Sequence, residues 1–77
     1  MSQLQPCKRI IFIKKLRKLN FEGPYTGTRH SFMVFQNNRL TIPSNTEYSV
    51  PQLKMMLKEI FSIIDHTFNV DEWNNLA

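Results

Sequence analysis

A single cysteine, two glycines and no long apolar run set the first limits on this chain. Cys7 has no second thiol to pair with, and one Cys with two scattered His lacks the ligand spacing of a zinc site. No metal or cofactor is expected, and a reducing compartment fits such cysteine usage. A run of about 18 apolar residues is missing, as is a basic-then-apolar start ending in small residues, so neither a membrane span nor a signal peptide is read. The expected location is the cytoplasm. Acidic residues are scarce in the first half. Residues 1–39 hold Lys8, Arg9, Lys14, Lys15, Arg17, Lys18, Arg29 and Arg39 against Glu22 alone, a net charge of +7. Residues 40–77 carry Lys54 and Lys58 against Glu47, Glu59, Asp65, Asp71 and Glu72, a net −3. Such a lopsided basic half fits a phosphate-backbone binder or a surface that meets an acidic protein; it equally fits a solubilising helix face.

What is present is a core. With 77 residues, 42% of them hydrophobic and six of them Phe, the chain reads as one domain spanning 1–77, near the lower size at which a core sustains itself. Residues 1–6 form a loose leader. From about Cys7 or Lys8 to Leu19 the pattern is helical: Phe12, Ile13, Leu16 and Leu19 recur at spacings of three and four, and Lys14, Lys15 and Lys18 take the other face. Ile10 and Ile11 fit that stripe poorly, so they either flank it or await a partner. Asn20 can end the helix in the left-handed conformation.

Pro24 has no amide donor, which makes residues 21–26 an edge strand or strand-like loop. Gly27 turns the chain into a strand at about 29–36, Asn37-Asn38 is the expected hairpin turn, and a third strand over 39–42 stops at Pro43. Residues 44–48 read as polar loop. Ser49 as N-cap, Gln52 as its capping-box partner and Pro51 in the first turn open a helix to about Ile64. Its core stripe is Leu53, Met56, Leu57, Ile60 and Ile64, broadened by Phe61 and Ile63, with Met55 also read as core filler. A second capping box, Asn69 with Glu72, starts a short helix that Trp73 docks. The expected fold is therefore α+β, an α-β-β-β-α order with a three-stranded antiparallel sheet, two helices on one face and a short C-terminal helix. Double-stranded-RNA-binding domains have this architecture.

One stretch carries chemistry, Gly27-Thr28-Arg29-His30-Ser31-Phe32. Alternation puts Phe32 and Val34 on the side of His30, and Ser31, Met33 and Phe35 on the other. A glycine turn that delivers an arginine and a histidine to the entry of a strand can present donors and a proton acceptor to a phosphate. Taken alone, His30 reads more readily as a structural or solvated residue, and Arg29 and Arg39 as readily as ordinary strand charge. His66, beside Asp65 at a helix end, reads as a cap. The carboxylates sit at helix ends and form no metal-ligand pattern, which disfavours a metal-dependent nuclease.

Four pieces in order resemble the HicA family of toxins, the small mRNA interferases of bacterial toxin-antitoxin pairs, which have a dsRBD-like fold. They are Leu16 to Phe21, Gly27 to Phe32, Leu40-Thr41-Ile42-Pro43 and Leu53 to Ile60, within residues 8–64. The resemblance maps the glycine and catalytic histidine of the family's Gly-Ser-x-His element onto Gly27 and His30. Thr28 stands where the family has Ser, and Asn20 where it often has Gly; the loop after Pro43 lacks the histidine or lysines that many members place there. The resemblance implies a metal-independent endoribonuclease with His30 as general acid or base, acting on mRNA and neutralised by a HicB-type antitoxin. Gly27, Thr28, Arg29, Arg39, Lys14, Lys15 and Lys18 are the expected substrate-binding residues. The competing expectations are a non-catalytic RNA-binding module and a partner for an acidic protein.

Overall fold

The computed structural model describes residues 3–76; Met1 and Ser2 of the expected leader lie outside them. The chain runs β1 (Cys7–Lys8), α1 (Arg9–Lys18), β2 (Glu22–Thr26), β3 (Ser31–Phe35), β4 (Asn38–Ile42), β5 (Glu47–Tyr48), α2 (Val50–Ile64) and α3 (Val70–Asn74). Phe12, Ile13 and Leu16 of α1 are buried, as their spacing requires. The helix ends where Asn20 turns left-handed at φ 72°. There the amide of Asn20 donates to Arg17 and that of Phe21 to Leu16, both at 3.0 Å. This pair of bonds satisfies two of the carbonyls that a helix end leaves without partners.

The main sheet has the order β2-β3-β4, all antiparallel, so the Pro24 strand lies at an edge. Arg17 holds the bulge in that strand, donating from Nε (3.0 Å) and Nη2 (2.8 Å) to the carbonyl of Gly23. Gly23 itself has φ 116°, a conformation that L side chains rarely adopt. Met33 pairs with Leu40 and Ser31 with Ile42, and this face closes onto α1 and α2. The opposite face carries Phe32, Val34, Arg39 and Thr41. The hairpin turn is Gln36-Asn37, one residue before the expected Asn37-Asn38, because Phe35 pairs with Asn38. Gln36 takes the positive φ, at 54°. Sliding a two-residue turn by one position changes the pairing sum by two, so every side chain stays on its expected face.

Three further expectations are corrected. Residues 44–48 are not simply loop: β5 pairs with β1, Cys7 opposite Tyr48 and Lys8 opposite Glu47, which also shortens the start of α1. The reason is Tyr48, fully buried with its ring edge-on to Phe12 at 5.3 Å and its hydroxyl donating to Pro43 at 2.7 Å. The first capping box is half formed. The amide of Gln52 donates to Ser49 Oγ, but the Gln52 side chain pairs with Asn45 instead of reaching back. Met55 is exposed, whereas Met56 fills the core. The second capping box forms in full, Asn69 and Glu72 exchanging bonds of 2.8 and 2.9 Å.

Burial pushes the Cys7 thiol above its ordinary 9.0 and the Tyr48 hydroxyl above its ordinary 10.0. Both acids ionise earlier in the unfolded chain than in the folded one. Their contribution to stability is therefore complete below about pH 9 and is lost as pH rises through the folded values. The expected result is a falling melting temperature above pH 9, with native Cys7 slow to alkylate at neutral pH. A flat alkaline stability profile would contradict the burial of both groups.

Candidate functional site

The tight turn between β2 and β3 begins at Gly27, whose amide donates to the carbonyl of His30 at 3.1 Å. A Cβ on residue 27 would overlap that same carbonyl oxygen, so only glycine closes the turn in this form. Thr28, Arg29 and His30 consequently stand on a solvent-exposed crest. The imidazole of His30 makes no hydrogen bond to another side chain among the described residues.

Beyond the crest, the outward sheet face carries a row of rings and charge. Tyr25 lies directly across from Phe32 in the β2–β3 pairing, with ring centroids 5.7 Å apart. The guanidinium of Arg39, on β4, sits 4.5 Å from the centre of the Phe32 ring. Register explains the contact, because Arg39 opposes Val34 and is therefore diagonal to Phe32 on one face. Glu22 is the counter-charge at the edge, accepting from the Tyr25 hydroxyl at 3.3 Å. Tyr25 lies in the expected edge strand, but its face is set by its register with Phe32, since a bulge between Glu22 and Tyr25 interrupts the alternation.

The expected basic residues do not gather at one place. Gly27, Thr28, Arg29 and His30 share the crest, and Arg39 lies on the outward face of the hairpin that carries it. Lys14 and Lys18 are exposed on α1, the helix that covers the sheet's inner face. Lys15 is a correction. It is only 6% exposed, its ammonium donating to the carbonyls of Trp73 (2.9 Å) and Asn74 (3.3 Å) and lying 5.2 Å from the Trp73 ring centre. It anchors α3 and is not presented to a substrate. The long aliphatic stem allows this, since a lysine can bury its methylenes while its ammonium finds acceptors.

A cavity of about 350 Å³ opens elsewhere, between α2 and α3, lined by Leu4, Phe61, Phe68 and Trp73 with Lys54. None of the crest residues borders it. Among the described residues no three of His, Cys, Asp and Glu come together as metal ligands, and no helix is long and apolar enough to cross a membrane. Comparison of the chain with protein-family models, curated proteins and solved structures finds no match.

Proposed function

We propose that the chain is a dsRBD-like endoribonuclease of the HicA kind, a cytoplasmic mRNA interferase held in check by a HicB-type antitoxin that covers His30. One observation carries this reading: a solvent-facing imidazole held on a turn that only Gly27 closes, with Arg29 beside it. In the proposed reaction His30 takes the proton of a ribose 2'-hydroxyl. That oxygen then attacks the adjacent phosphorus, and the 5'-oxygen departs with a proton from solvent. Arg29 offsets charge that develops on the phosphoryl oxygens, a role suited to a planar guanidinium. Thr28 adds a hydroxyl donor, and Lys14 and Lys18 contribute long-range attraction for the polyanion. With a single imidazole and no second acid on the crest, turnover is slow.

A binding module without catalysis is the second reading, and one observation favours it. A catalytic base is commonly oriented by a third group, whereas His30 has no side-chain partner among the described residues. The test incubates the free protein with single-stranded RNA in chelator, beside His30→Ala. Cleavage by the wild type alone is expected, and a single 2'-deoxy substitution at the cut site should block it. Equal cutting by both proteins removes His30, cutting at the deoxy position removes the 2'-hydroxyl route, and no cutting by either leaves the binding module.

A further inference from the structure

The outward face of the sheet is a second feature, distinct from the crest that bears His30. Small domains expose single apolar residues routinely, but here the exposure is organised. Tyr25 is 44% exposed, Phe32 half-buried beside it, and the Arg39 guanidinium lies over the Phe32 ring. The three lie in sequence across β2, β3 and β4, on the face that neither α1 nor α2 covers. We infer that this row is a stacking platform for an unpaired base of single-stranded RNA, resting on the proposed nuclease reading and placing the strand that His30 would cut.

The chemistry of the face selects this occupant. A nucleobase stacks on an exposed tyrosine ring and against a guanidinium plane, and its phosphate is attracted to Arg29 and Arg39. The Phe32 ring reaches the turn, its Cδ1 standing 3.4 Å from where a Cβ on residue 27 would lie, so the platform adjoins the crest. A base seated on Tyr25 therefore brings a neighbouring ribose toward the imidazole. Among the described residues Glu22 is the only acidic group in β2, β3 and β4, and the Tyr25 hydroxyl engages it. A duplex fits poorly, since its bases are already stacked and its edges, not its ring faces, are presented.

The experiment uses a fluorescent 2'-O-methyl oligonucleotide, which resists attack at the ribose, and a second probe of equal length and charge whose nucleotides are abasic. Tyr25→Ala should bind the base-bearing probe about tenfold more weakly than wild type. Tyr25→Phe, which keeps the ring and loses only the bond to Glu22, should bind as wild type does. The abasic probe should bind weakly to wild type and be indifferent to both changes. Equal affinity of wild type for the two probes overturns the platform, as does full binding by Tyr25→Ala. His30→Ala should still bind the 2'-O-methyl probe while losing cleavage of an unmodified oligonucleotide of the same sequence. Tyr25-dependent binding of the 2'-O-methyl probe with no cleavage of the unmodified oligonucleotide by any variant would instead defeat the nuclease reading and leave the platform standing.

Discussion

Replacing His30 by alanine is expected to slow cleavage of single-stranded RNA by about 10²- to 10⁴-fold, the usual contribution of a positioned acid or base. The fold should not notice. His30 is exposed, its side chain bonds to no other side chain among the described residues, and only its backbone carbonyl takes part in the turn. Surface changes of that kind usually alter stability by less than about 0.5 kcal/mol. Unchanged thermal unfolding beside a lost rate separates chemistry from structure. Imidazole added to the solution should restore part of the rate in His30→Ala, because the crest is open to solvent. A rate that survives the substitution, or one that imidazole leaves untouched, counts against a proton-transfer role.

The second large effect is on stability. Trp73→Ala should remove about 3 to 5 kcal/mol, the range for truncating a large buried aromatic. The ring is 2% exposed and packs on Phe12 at 5.6 Å and, in parallel, on Phe68 at 5.9 Å. It also lies beneath the ammonium of Lys15, which loses that neighbour in the variant. For a domain of this size each kcal/mol shifts the melting temperature by roughly 4 to 8 °C, so a fall of more than about 12 °C is expected by circular dichroism. Trp73→Phe, which keeps an aromatic ring in place, should lose less. A fall of only a few degrees in Trp73→Ala would mean that α3 is an ornament on the core.

How much of this was legible in the chain depends on periodicity. The stripe of α2 is long enough to announce its buried face, and Leu53, Met56, Leu57 and Ile60 are all buried. Pro24 marked an edge, and Asn69 with Glu72 marked a cap, because each rests on local chemistry that tertiary contacts did not override. The pairing of β1 with β5 left no such trace, since two residues cannot display a period and their partners lie 39 to 41 positions away. Lys15 misled by its type: a lysine on a helix reads as solvent-facing, and only the arrival of α3 supplies the carbonyls that bury it. At the candidate site the turn and its glycine were legible, but His30 lies in the turn and not on the expected strand, which begins at Ser31. The row of Tyr25, Phe32 and Arg39 was not legible, because it depends on strand register that no single segment encodes.

The short ladder of β1 with β5 has a mechanical consequence. Alongside it, the amide of Arg9 donates to Thr46 at 2.9 Å and its guanidinium to Pro43 at 3.3 Å. The chain is thus buckled at the root of both long helices, and everything from α1 through the three-stranded meander is a loop hung from that buckle. The crest at Gly27 sits near the midpoint of the suspended stretch. The ladder closes that stretch at its ends, and the burial of Met33, Leu40 and Ile42 in the core fixes it in between, so the crest projects from a base held on both sides.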